Sequence, residues 1–282
     1  MNIIIKKLQT TPLITIPLII GIYWGFLLLP RVFLLPFYSL PYPWLLLVDL
    51  IAKMLLLTLL WFLLIPFGLQ LPSTTENLLD YSNSINLNKF SPKLRNISIG
   101  ITYAVIILFT TLIPYVLMGT YQFEISTIIG QPDQETGALG YFTFISNLQP
   151  AIWEEIAFRG VILVLLLNTF SNKNAIIIDS VAFGVFHLIN LFVGADPLFT
   201  LYQVFFATCL GIVLAYMTVK FKTLIPAMIA HYTNNVFQPL VSNAMIPDYG
   251  LEIILSIGRV LIYTTLGLLL VYYWPKGHNR AE

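Results

Sequence analysis

A chain of 282 residues that is 58% hydrophobic and only 10% charged, with a mean hydropathy of +0.85, departs far from the roughly quarter-charged composition of a soluble domain. Its formal net charge of +1 excludes a broad basic face, and with it a nucleic-acid partner. The single cysteine, Cys209, lies in an apolar run with no disulfide partner, which argues against redox chemistry.

About 20 apolar residues are needed to cross a bilayer core, and the sequence offers eight such stretches. They fall at roughly 12–36, 43–69, 98–118, 141–167, 175–193, 198–219, 223–243 and 251–274. Lys6 and Lys7 precede the first as in a signal peptide, but that stretch is too long for a signal core and has no small-residue cleavage site, so it reads as a retained span. With a cytoplasmic amino terminus, the inside segments hold Lys6, Lys7, Lys89, Lys93, Arg95, Lys173, Lys220, Lys222, Lys276 and Arg280. The outside loops hold only Arg31, and Lys53, Arg159 and Arg259 lie within spans. This bias predicts a multi-pass protein of the cell membrane with both termini in the cytoplasm. The expected architecture is an all-α helix bundle of about eight transmembrane helices, a single integral membrane domain over 1–282. Two connectors interrupt it: a polar one at 71–97, and an acidic one at 119–140 that holds Glu124, Asp133 and Glu135 and is expected to contribute an interfacial helix.

An ionisable side chain near the bilayer centre costs at least ~2.5–3.5 kcal/mol, so each needs a partner or a task. Asp49 and Lys53 are spaced i, i+4 and are expected to neutralise each other. Asp179 sits near a helix amino terminus, where a carboxylate is favoured. Arg259 lies within snorkelling reach of an interface. The remaining groups come from three spans at similar depth. With a rise of ~1.5 Å per residue from the expected cytoplasmic ends, Glu154 lies roughly 20 Å in, His187 and Asn235 roughly 18 Å, and His231 roughly 12 Å. Glu155 with Arg159, Phe183 with His187, and His231 with Asn235 are each i, i+4 pairs on one helix face. Glu155 and Arg159 therefore read as an intrahelical ion pair, which leaves Glu154 to face a cavity. Pro150 suits the first turn of a helix, so a break in "SNLQP" would set Glu154 near the start of a half-helix beside water.

A glutamate and two histidines suggest a zinc site, but HExxH is missing and a metal-dependent hydrolase stands only as an alternative. No serine or cysteine has a base beside it, which leaves water as the nucleophile. A carboxylate in a poorly solvated pocket is suited to take a proton from water at neutral pH. An imidazole and a neighbouring carboxamide, His231 and Asn235, fit the role of donors to a developing oxyanion.

In this order and on separate helices, EExxxR (Glu154, Glu155, Arg159), FxxxH (Phe183, His187) and HxxxN (His231, Asn235) resemble the CPBP family of intramembrane glutamic endopeptidases, which includes the type II CAAX prenyl proteases and the Abi relatives. The resemblance implies a catalytic core at 147–240, with Glu154 and His187 activating water and His231 and Asn235 forming the oxyanion hole. It also implies supporting roles for Glu155, Arg159 and Phe183, no metal and no cofactor. The implied partners are the lipid bilayer and a membrane-anchored or lipidated peptide or protein, with a prenylated CAAX-type substrate as one case. The rival reading from a different class is a non-enzymatic binding, immunity or transport protein with the same buried groups lining a solute path. No internal repeat of the transporter kind is present in the sequence.

Overall fold

The computed structural model describes residues 3–37, 39–88, 93–121, 123–241 and 249–275. Lys89, Lys276 and Arg280, which enter the charge reading above, lie outside the described residues. Among the described residues the chain is helical with no strands, and its outer face is apolar: Ile14, Leu18, Leu55, Phe109, Val181 and Leu261 are all exposed. Large outward apolar surface of this kind needs lipid to cover it.

Six helices are long and apolar enough to cross a membrane: Pro12–Phe33, Tyr42–Gly68, Leu94–Leu117, Asn172–Val193, Pro197–Phe221 and Gly250–Tyr273. The two other expected spans are the segments that carry EExxxR and HxxxN. Residues 140–167 form a succession of short helical pieces, with the helix restarting at Leu148 and widening into a π-helical turn at Ile156–Ile162. The restart after Asn147 is the break expected before Pro150. From Ile156 to Leu163 every residue is buried, so this strand of helix is the axis of the bundle and meets protein on all sides. Helix Ile225–Phe237 has 13 residues, about 20 Å at ~1.5 Å per residue, short of the ~30 Å core. Hydropathy windows register apolar content without distinguishing lipid from protein as the surroundings, which is why both segments read as full spans.

Packing sets these two segments in place. Helix Asn172–Phe186 runs against Pro197–Phe221, Ile225–Phe237 runs against Lys93–Leu117, and Tyr249–Tyr273 closes the bundle against both of the longer partners. The contact between Asn172–Phe186 and Pro197–Phe221 depends on glycine. A Cβ at Gly184 would come within 2.0 Å of Thr208 Oγ1 and 2.6 Å of the Val204 carbonyl oxygen, and one at Gly211 would meet Arg159 Nη2 at 3.1 Å. Polar ties fix the remaining helices. Trp24 Nε1 donates to Phe186 O at 2.9 Å, Trp153 Nε1 lies 3.0 Å from Met54 Sδ, and Tyr232 OH donates to Phe144 O at 3.0 Å. Lys220 Nζ donates to the carbonyls of Val271, Tyr272 and Trp274, satisfying the carboxyl end of the last helix. Asp49 and Lys53 pair at 2.6 Å. The acidic connector folds into the short helix Ser126–Ile129 and a turn in which Asp133 N–H donates to Ala138 O.

Candidate active site

The three motifs meet around a chain of buried charges. Arg159, with 0% of its side chain exposed, places Nη1 3.1 Å from Glu155 Oε1 and Nε 3.5 Å from Asp179 Oδ2. The face of its guanidinium lies over the Phe183 ring, 4.2 Å from the centroid. A buried cation is thus met by two carboxylates and an aromatic face, the surroundings that make such burial tolerable.

Glu155 also reaches across to the HxxxN helix. The same Oε1 that faces Arg159 accepts a hydrogen bond from His231 Nδ1 at 2.8 Å. A carboxylate can only accept, so Nδ1 carries the proton, and His231 turns Nε2 toward Glu154, 3.9 Å from Oε2. His187 is set by analogous logic. Its Nδ1 lies 2.9 Å from the Phe183 carbonyl oxygen, which also only accepts, so in the neutral ring Nε2 is the free acceptor. The helix tightens into a 3-10 turn at this residue, which begins the Val193-terminated turn directly after Phe186. The Phe183 ring stands edge-on to both imidazoles, with centroids 5.0 Å from His187 and 5.9 Å from His231. Asn235 accepts from Asn234 Nδ2 at 3.2 Å through its Oδ1, which leaves its own NH₂ as the donor group.

Glu154, Phe183, His187, His231, Asn234 and Asn235 all line one chamber of about 1710 Å³, larger than the ~300–1,000 Å³ of common small-molecule sites. Glu154 Oε2 is buried and has no hydrogen-bond partner among the described residues. The chamber is walled further out by the 124–139 part of the acidic connector and by residues 196–203 and 237–241. Its mouth is therefore at the end of the bundle opposite Lys173, Lys220 and Lys222. Among the described residues no group of three or more His, Cys, Asp or Glu is arranged to hold a metal ion.

Every residue singled out from the motifs is brought to this one locality: Glu154, His187, His231 and Asn235 on the chamber wall, Glu155 and Arg159 behind it, Phe183 between. Two residues take places the sequence did not assign. Asp179 is fully buried and is the second partner of Arg159 rather than only a helix-start carboxylate. Its i, i+4, i+8 spacing with Phe183 and His187, all on one helix face, was the signal available. Arg259 does not snorkel; it is buried on the chamber wall and paired with Glu252, Nη2 to Oε1 at 3.1 Å.

These features define an integral membrane protein whose helices enclose a polar chamber with a carboxylate and two imidazoles on its wall. Residues 137–237 match the family model of the Rce1-like type II CAAX prenyl endopeptidases. The match covers about a third of the chain and contains all three motifs. That segment is similar to the CAAX prenyl endopeptidases, which supports the resemblance read from the three motifs and a reading as a CAAX-type membrane protease. No curated protein and no solved structure matches the chain.

Proposed function

We propose that the protein is a glutamic endopeptidase in which water, activated by Glu154 and His187, hydrolyses a peptide bond of a membrane-anchored or lipidated substrate, with prenylated CAAX-type peptides as its first class. The observation that carries this reading is the convergence on one chamber of an unpartnered buried carboxylate oxygen, an imidazole with Nε2 free to accept, and a donor pair one helical turn apart.

The reaction balances on these groups alone. Water bound between Glu154 and His187 gives a proton to Glu154 as its oxygen bonds to the scissile carbonyl carbon. The carbonyl π pair moves onto oxygen, where the Asn235 NH₂ and the His231 Nε2–H donate to it. In the imidazolium form of His231 both ring nitrogens donate, Nδ1 to Glu155 and Nε2 into the chamber, and the Glu155 carboxylate stabilises that charge. Collapse of the tetrahedral species breaks the C–N bond, and Glu154 returns its proton to the leaving amine. No metal takes part. The bilayer supplies the anchor of the substrate and the chamber excludes bulk water, which strengthens each of these interactions. The catalytic core in this reading is 147–240 within a single membrane domain.

The test is single-turnover cleavage of farnesylated and unlipidated membrane peptides by wild type and Glu154→Gln, with and without a strong chelator. The expected result is cleavage by the wild type that survives the chelator and falls by at least ~10²–10⁴-fold in the folded variant, the range of a lost general base. Equal rates for the two proteins would refute the role of Glu154, and chelator-sensitive cleavage would move the chemistry to a metal.

A further inference from the structure

Beyond His187 the chamber wall carries two carboxamides that take no part in the hydrolysis. Asn190 Nδ2 donates to Gln203 Oε1 at 2.7 Å, joining the turn His187–Val193 to helix Pro197–Phe221. Both side chains are half-buried and both line the chamber. That bond uses one donor and one acceptor. Asn190 Oδ1 and the Gln203 NH₂ have no other partner among the described residues, and both remain accessible. Turning both carboxamides over gives the same outcome: one acceptor and one donor remain side by side.

Tight local geometry sets the place of this pair. His187 and Asn190 are three residues apart in a 3-10 turn, so their side chains share one face, ~6 Å apart along it at ~2.0 Å per residue. The Ala195 N–H donates to the Asn190 carbonyl at 3.0 Å, and Asp196 caps the helix that carries Gln203, which ties both residues to one compact corner. An extended peptide advances ~3.3–3.6 Å per residue. A chain lying along this wall with its scissile carbonyl at Glu154 and His187 therefore brings a residue about two positions away to the carboxamides. In an extended strand the N–H and C=O of one residue point to the same side, where a neighbouring strand offers it an acceptor beside a donor. Asn190 and Gln203 offer that same couple.

We infer that Asn190 and Gln203 bind the backbone N–H and C=O of one substrate residue, about two positions from the scissile bond, as a neighbouring β-strand would. The inference rests on the endopeptidase reading and deepens it. At that position the substrate is held by its main chain in extended form, whatever its side chain. Proline is the exception, because it has no N–H to give.

The experiment measures binding separately from cleavage. The probes are a farnesylated membrane peptide and its depsipeptide analogues, each with one backbone N–H replaced by an ester oxygen, the scissile bond excepted. All are titrated against Glu154→Gln protein in lipid nanodiscs, and their cleavage by the wild type is followed. The analogue with its ester about two residues from the cut is expected to bind roughly 5-fold or more weakly than the parent, and to raise KM by the same factor with kcat little changed. Adding Asn190→Leu and Gln203→Met together keeps both shapes while removing both carboxamides, so neither is left without its partner. This paired change is expected to weaken the parent and to erase its advantage over that analogue, with thermal melting as the check on folding. The milder Gln203→Met alone is expected to weaken the parent by a smaller factor, and it decides the matter where the paired variant does not fold. An ester effect that persists in the paired variant, or parent affinity unchanged by these substitutions, would overturn the inference and leave the carboxamides as a tie between helices. Cleavage with no ester-sensitive position leaves the endopeptidase standing and removes the backbone clamp. Ester-sensitive binding that depends on the carboxamides, without cleavage, leaves the clamp standing and removes the hydrolysis. Neither binding nor cleavage removes both.

Discussion

Glu155→Gln is the substitution that separates a merely structural second glutamate from one that also governs the imidazole. Glu155 Oε1 is shared by Arg159 Nη1 at 3.1 Å and His231 Nδ1 at 2.8 Å, with both carboxylate and guanidinium side chains fully buried. Removing the carboxylate charge leaves Arg159 facing Asp179 alone, at 3.5 Å. Breaking a buried ion pair from one side costs ~3–5 kcal/mol. The retained amide oxygen of glutamine still accepts one hydrogen bond, so the lower end of that range is expected. The second effect falls on His231. A glutamine can turn its NH₂ toward Nδ1, which reverses the ring tautomer, and it no longer stabilises an imidazolium. The general precedent for replacing the carboxylate partner of a catalytic histidine by its amide is a loss of about 10⁴ in kcat. Here His231 serves as an oxyanion donor, for which losing one donor is worth ~2.7–4 kcal/mol, or about 10²–10³ in rate. The expected outcome is thus a lowered melting temperature together with a kcat reduced ~10²-fold or more in the fraction that remains folded, at little change in KM. The assay is peptide cleavage at a temperature well below the variant's melting point, with active protein normalised by binding of a substrate peptide. A variant that is destabilised yet keeps wild-type kcat would refute the coupling of Glu155 to His231. One that keeps wild-type stability would refute the account of the buried pair.

Asn235→Ala removes the carboxamide from the chamber wall and is expected to lower kcat by ~10²–10³-fold with KM and melting nearly unchanged, as measured by initial-rate kinetics. A proportionate rise in KM instead would mark Asn235 as a ground-state contact. Gly184→Ala tests the scaffold rather than the chemistry. Its Cβ would press on the Val204 carbonyl oxygen at 2.6 Å as well as on the Thr208 side chain, so helices Asn172–Phe186 and Pro197–Phe221 must separate. A loss of ~1–3 kcal/mol is expected, read as a drop in thermal stability in detergent.

How much of this was legible in the sequence depended on whether a residue's partner lay on its own helix. The Asp49–Lys53 and Glu155–Arg159 pairs are local, and i, i+4 spacing was enough to find them. The convergence of Glu154, His187, His231 and Asn235 followed from counting depth along separate spans, because a rise of ~1.5 Å per residue is nearly independent of the rest of the fold. Azimuth has no such rule: nothing in the spacing shows that Glu155, facing away from the chamber, also reaches His231 on another helix. For Asp179 and Arg259 a sufficient local explanation, a helix start and an interface within reach, hid a tertiary one.

The same limit explains the two short segments and bears on function. A helix that must carry two glutamates and an arginine is unfavourable against lipid, so it becomes the axis of the bundle, wrapped by Pro12–Phe33, Tyr42–Gly68 and Asn172–Phe186. A helix shorter than the bilayer core, such as Ile225–Phe237, ends at the chamber, which Phe237 and Gln238 line. His231 is buried within it, and Asn235 is on the chamber wall close to its last turn. Backbone that stops at membrane depth is stable only where protein or a polar cavity satisfies it. The features that make these segments poor spans, internal charge and insufficient length, are therefore the ones that bring polar side chains to the chamber wall. Hydropathy counted them as spans because their apolar residues serve the core of the protein itself.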